Sequence, residues 1–195
     1  MENFFALLSR MRYIKRWALM RSSEEENIME HSQQVAVFTH ALCAIENAFF
    51  GGSLNVEKAV MIALYHETSE VITGDLPTPI KYYNGKIKDA YKEIERTACE
   101  KVLAMLPEDL APSFSPFVLP NADCPEYRFM KYADKLSAYA KCLEELKCGN
   151  AEFSSAKKAI ERELKGYKAP AVDYFMKHFL PGFSLTLDEL NHPSV

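Results

Sequence analysis

The chain has 195 residues, 48% apolar and 26% charged, with a formal net charge of −4. That is enough apolar mass for one buried core, and 7 glycines with 10 prolines exclude a collagen-like or Pro/Gly-rich disordered chain. The acidic balance excludes a binder of nucleic-acid polymers, which needs a basic surface, but leaves room for a few cations around one small phosphate.

In chain order, Met1-Glu2-Asn3 carries an acid and leads into no small-residue cleavage site, so no leader peptide is expected. Val35, Phe38, Leu42, Ile45 and Phe49 recur at three- and four-residue steps, as one buried helix face requires. After Gly51-Gly52-Ser53 the pattern resumes with Val56, Val60, Ala63, Leu64 and Val71. Residues 59–65 are the longest unbroken apolar run, well short of the ~20 residues that span a bilayer. Residues 73–79 (TGDLPTP) read as a loop. Tyr91, Ile94, Ala98, Val102 and Met105 give a long helix closed by Pro107, and the proline-dense residues 106–125 form a connector with at most a short helix. Residues 129–147, stopped by Gly149-Asn150, then 156–165 and 172–180, complete the helices.

No segment alternates as a strand would; the nearest candidate, residues 183–187, is only five long. The expectation is an all-α bundle of about six to eight helices forming one domain over residues 1–195. Five cysteines without CxxC spacing fit reduced thiols in the cytoplasm better than a disulfide framework or a zinc–thiolate site.

Among five histidines, His31 lies four and seven residues before Val35 and Phe38, so it points along the buried stripe. His66 falls late in the following helix beside Glu67, at the flank of its apolar face. Asp134 has the small neighbours Ala133, Ser137 and Ala138, which leave space beside its carboxylate. Spacing alone leaves two interpretations open: satisfied core histidines with ordinary ion pairs, or a mixed nitrogen and oxygen site for a divalent cation. The run Glu24-Glu25-Glu26 reads as a solvated surface segment, and His40, His178 and His192 suggest no chemistry.

The order His31, His66-Glu67, Asp134 resembles the H…HD…D signature of HD-domain phosphohydrolases. The flanks are more specific. Arg16-Trp17-Ala18-Leu19-Met20-Arg21, Glu30-His31-Ser32, Tyr65-His66-Glu67-Thr68-Ser69-Glu70-Val71 and Thr73-Gly74-Asp75-Leu76-Pro77-Thr78-Pro79 resemble the bacterial YfbR-type 5′-deoxynucleotidases, as do residues 141–146 and 173–176. The resemblance spans residues 3 to 190 or so. It implies a helical HD domain, a homodimer, that hydrolyses deoxyribonucleoside 5′-monophosphates to deoxynucleoside and phosphate. By motif, His31, His66, Glu67 and Asp134 take the metal-ligand positions, and Glu70 takes that of the acid acting on the attacking water. Arg16 matches the phosphate-contacting arginine, while Trp17 and Asp75 match residues on the sugar side. The implied cofactor is a divalent cation, Co²⁺ or Mn²⁺ first, with Fe²⁺, Ni²⁺ and Zn²⁺ also suited to the donors.

One position departs from the pattern: Glu67 stands where the family has aspartate. The longer side chain is still an oxygen ligand, and a change of rotamer can absorb the extra methylene. The alternatives are therefore another HD-type nucleotide phosphohydrolase, or a nucleotide-binding module whose catalysis Glu67 has impaired. The expected partners are a small deoxynucleotide and a second copy of the chain, with neither nucleic-acid polymer nor membrane.

Overall fold

The computed structural model describes residues 2–81 and 83–191. Its helices are α1 (Phe4–Leu8), α2 (Ile28–Phe49), α3 (Val56–Tyr65), α4 (Glu70–Thr73), α5 (Thr78–Lys81), α6 (Gly85–Leu103), α7 (Ala111–Val118), α8 (Pro125–Lys147), α9 (Ser154–Gly166), α10 (Pro170–His178) and α11 (Leu187–Asn191). The longer ones, α2, α3 and α6 to α10, match the expected all-α bundle; α1, α4, α5 and α11 are one-turn segments beside them. No strand occurs among the described residues, only an isolated antiparallel bridge between Lys15 and Asn27.

Local chemistry sets the helix ends. The Asn27 side chain accepts from the backbone N–H groups of Met29 and Glu30, both at 3.0 Å, and Glu30 Oε2 accepts the Asn27 N–H at 3.3 Å. This reciprocal cap satisfies donors that a helix start otherwise leaves open, and losing it costs about 1 kcal/mol. Asn55 caps α3 through the Lys58 N–H at 2.9 Å. Pro125 opens α8, where its missing N–H is harmless, so the helix begins four residues earlier than its apolar pattern. Gly149, at φ +82°, follows its end.

Helix α2 packs against α3 and α8, and α10 closes over α2. Their shared core contains Val35, Phe38 and Leu42 from α2, Ile62 from α3, Met130 and Leu136 from α8, and Phe175 from α10. A smaller cluster joins Phe4 of α1 to Val102 and Leu103 of α6 and Val118 of α7.

Two expectations change. Helix α3 stops at Tyr65, so His66-Glu67 occupies the turn before α4 and is not part of a helix. There the Thr68 hydroxyl donates to the Tyr65 carbonyl at 2.7 Å and the Glu70 N–H to the Glu67 carbonyl at 3.0 Å, so local bonds replace the helical ladder. The loop expected over residues 73–79 narrows to 74–77, between Gly74 at φ +70° and α5. Residues 180–184 form a 3-10 turn, in keeping with the all-α expectation. His192 lies outside the described residues.

Candidate active site

Four side chains from three parts of the fold converge. His31, fully buried, lies in the first turn of α2; Asp134 lies midway along α8; His66 and Glu67 come from the turn after α3. His31 Nε2 is 3.1 Å from Asp134 Oδ1 and 3.6 Å from Glu67 Oε1, and His66 Nε2 is 3.1 Å from Glu67 Oε1. One ligand atom from each of the four lies within 4.8 Å of all the others. The extra methylene of Glu67 does not carry its carboxylate out of the cluster.

Hydrogen bonds behind the rings decide which nitrogens face inward. His66 Nδ1 donates to the Ala63 carbonyl at 2.7 Å, which leaves Nε2 without a proton in the neutral ring. That buried Nε2 has no hydrogen-bond partner, because Glu67 is near it but not in bonding geometry. The Ser137 hydroxyl donates to Gln34 Oε1 at 2.6 Å, so toward His31 Nδ1, 3.0 Å away, it can only accept. His31 Nδ1 therefore carries the proton, and in the neutral ring its Nε2 lone pair also points at carboxylate oxygens. Two lone pairs aimed at two carboxylates repel unless a positive charge lies between them. This donor set, two neutral imidazoles and two carboxylates, fits a hard or borderline divalent cation.

The same two carboxylates also draw a proton onto His31, a positive charge that a bound cation would replace. Burial works against ionisation of Asp134, but the hydrogen bond from His31 and the nearby Lys131 outweigh it and hold the carboxyl well below its usual range. Burial likewise opposes ionisation of Glu67, and His66 and His31 more than reverse it. Burial and the charge of Arg16 press the His31 pKa down, but its bonds to Asp134 and Glu67 raise it overall. Glu70 behaves in the opposite way. Burial, then the charges of Glu67 and Asp75, push its carboxyl up to about 10, and its Oε2 is buried without a partner. A carboxyl so displaced beside the cluster makes Glu70 a candidate for proton transfer.

Arg16 and Trp17 approach from the segment between the 3-10 turn at Ser9–Tyr13 and α2. Trp17 sits at φ +62°, a left-handed conformation that costs on the order of 1–3 kcal/mol in a non-glycine residue. Its indole packs on Phe153 with ring centroids 5.3 Å apart, and the Arg16 guanidinium lies 5.6 Å from the Trp17 ring centre. Asp75, half-buried after Gly74, lies near the charges of Arg16 and Glu67 and beside the Trp17 backbone. The eight expected residues are thus linked through neighbours: Glu70 and Asp75 lie near Glu67 and Arg16, and Trp17 lies beside Arg16.

Glu26 corrects the reading of residues 24–26 as a solvated run. Glu24 and Glu25 are exposed, but Glu26 turns inward and accepts from Arg16 Nη1 at 2.6 Å and Trp17 Nε1 at 3.0 Å. No periodicity announces this, because the segment is neither helix nor strand. Ser137 was legible only as a small residue beside Asp134; the space it leaves is used to orient His31.

The family model for 5′-deoxynucleotidase YfbR-like proteins matches residues 3–183. A 5′-deoxynucleotidase of Vibrio cholerae is 52% identical over 191 residues, covering 97% of this chain and 98% of that protein. The 5′-deoxynucleotidase YfbR of Salmonella paratyphi B is 50% identical over 194 residues, covering 99% and 98%. Among solved structures, an HD-domain phosphohydrolase from Listeria innocua superposes with a TM-score of 0.82 at 23% identity, covering 97% of this chain and 94% of that one. At that identity the likeness concerns the fold alone.

Proposed function

Because the chain belongs to the YfbR-like 5′-deoxynucleotidase family, with the HD-domain phosphohydrolase fold, we propose that it hydrolyses deoxyribonucleoside 5′-monophosphates to deoxynucleoside and phosphate. His31, His66, Glu67 and Asp134 hold the divalent cation of this metal-dependent enzyme. The observation that carries this assignment is the pair of inward-facing imidazole nitrogens set against two carboxylates within 4.8 Å. A divalent cation held there offsets charge on the phosphoryl group and makes a nearby water a better nucleophile.

The remaining chemistry belongs to side chains. Arg16 has five N–H donors and gives one Nη1 to Glu26, which leaves others for phosphate oxygens. Glu70, with Oε2 free, orients the attacking water and takes its proton at that oxygen. Its proton affinity falls once the charge of Glu67 is compensated, since Glu67 is the largest of the neighbouring charges that raise it. The half-buried indole of Trp17 forms a wall that excludes a 2′-hydroxyl, and Asp75 accepts from the sugar's 3′-hydroxyl. A rigid wall is required, because an apolar pocket alone rejects an added hydroxyl weakly.

Co²⁺ or Mn²⁺ is the cation we expect, given mixed imidazole and carboxylate donors. The same reading takes residues 1–195 as one domain, acting as a cytoplasmic homodimer; sedimentation of the purified chain tests the dimer. No helix among the described residues is long and apolar enough to cross a membrane. Catalysis impaired by Glu67 is disfavoured by the reach of its carboxylate into the cluster.

The test is phosphate release from paired deoxy- and ribonucleoside monophosphates by chelator-stripped protein with Co²⁺, Mn²⁺, Mg²⁺ or Zn²⁺ restored. Metal-dependent turnover that prefers the deoxy substrate is expected. Silence with every metal in folded protein refutes the proposal.

A further inference from the structure

The segment before α2 folds back on itself. The Arg16 N–H donates to the Glu26 carbonyl at 2.9 Å, the Ile28 N–H to the Ile14 carbonyl at 3.0 Å, and Lys15 bridges to Asn27. Arg16 and Glu26 are therefore neighbours across the loop. The Glu26 side chain is 13% exposed, and a single oxygen, Oε2, receives both Arg16 Nη1 and Trp17 Nε1. Its other oxygen lies 4.0 Å from His31 Nδ1. One carboxylate thus touches the residue assigned to phosphate and the residue assigned to the sugar, and stands beside one assigned to the cation.

Trp17 needs such support. Its left-handed backbone persists only if its surroundings over-determine it. Phe153 packs against the indole at an interplanar angle of 60°, and Glu26 holds its only polar atom. The loop itself is anchored elsewhere. Glu145 accepts the Ser23 N–H at 2.8 Å, Lys141 donates to the Glu24 carbonyl at 2.6 Å, and Asn150 Nδ2 donates to the Arg21 carbonyl at 2.7 Å. With its backbone pinned by α8 and the residues after it, the loop does not depend on Glu26 alone to stay folded.

We propose that Glu26 is a positioning residue: through one carboxylate oxygen it sets the direction of the Arg16 guanidinium and the plane of the Trp17 indole, so that turnover and sugar selectivity change together. This rests on the roles of Arg16 and Trp17 proposed above. A purely structural role would lower activity on deoxy and ribo substrates equally.

The test compares wild type, Glu26→Gln and Glu26→Asp, each loaded with Mn²⁺ and verified as folded by circular dichroism. Kinetics on one deoxy- and ribonucleoside monophosphate pair are read beside fluorescence of Trp17, the only tryptophan. Glu26→Gln keeps the size but loses the charge, and kcat on the deoxy substrate is expected to fall about tenfold or more, the scale of a lost charge-assisted hydrogen bond. The deoxy-to-ribo ratio of kcat/KM falls with it, and Trp17 emission shifts. Glu26→Asp keeps the charge but is too short for both partners; it recovers part of kcat through Arg16 while the ratio stays low. If Glu26→Gln does not fold, Glu26→Asp carries the test through that ratio. A wild-type preference retained unchanged in the variants, with unaltered emission, overturns the inference alone. Wild type that turns over both substrates equally overturns the sugar-wall role of Trp17, and the inference with it.

Discussion

Ser137 accepts the Nδ1 proton of His31 at 3.0 Å, and this bond decides which face of the ring addresses Asp134. The hydroxyl has no freedom to reverse, because it donates to Gln34 at 2.6 Å. Ser137→Ala removes the acceptor, so either the buried Nδ1 N–H is left unpaired or the proton moves to Nε2 and blocks the lone pair that faces the cluster. Metal affinity is expected to fall about 10–100-fold, the usual consequence of losing a group that orients a ligand. Titration of the variant with Mn²⁺ measures this; unchanged affinity would show that other contacts orient His31.

Glu70 borders the cluster without belonging to it. Glu70→Gln preserves its volume and removes its capacity to take a proton. The expected result is a fall in kcat of about 10²–10⁴-fold, the range for lost general acid–base catalysis, with metal affinity changed only slightly. A parallel loss of metal binding would make Glu70 a ligand and contradict the separation of roles.

Glu145 links the loop before α2 to the core and gives it a pH dependence. Its carboxylate is buried, with Lys141 Nζ at 2.6 Å and Asn150 Nδ2 and the Ser23 N–H each at 2.8 Å. Burial alone would raise its pKa, but these partners, led by Lys141, bring it down to about 2 from the ordinary glutamate value of about 4.5. A folded-state pKa below the unfolded one means that the stabilisation is present above about 4.5 and is lost as pH falls toward about 2. Its size is on the order of 3 kcal/mol. Glu145→Gln should therefore be less stable than wild type at pH 7, with the gap narrowing through that window. Urea unfolding at several pH values checks it; a gap independent of pH would refute the ionic origin.

Much of this was legible in the sequence because helices announce themselves by period. Val35, Phe38 and Leu42 face the core as their spacing requires, and His31 lies on the same stripe. The convergence of His31, His66, Glu67 and Asp134 was carried by resemblance, since spacing could not bring three separated segments together. Glu26 was hidden because Glu24, Glu25 and Glu26 are chemically identical. Only the fold-back of Arg16 onto Glu26 separates an acid that meets the Trp17 indole from one that pairs with Lys15 at the surface. His66-Glu67 lay off its expected helix because bonds from Thr68 and Glu70 form a turn that apolar periodicity does not encode.

The most direct measurement concerns Glu67, the residue that departs from the family pattern. Chelator-stripped wild type and Glu67→Gln would each be titrated with Mn²⁺ by calorimetry. A working ligand predicts one ion per wild-type chain and affinity weakened about tenfold or more in Glu67→Gln. Equal affinities in the two proteins, or no binding to folded wild type, would contradict the assignment of His31, His66, Glu67 and Asp134 as the metal site.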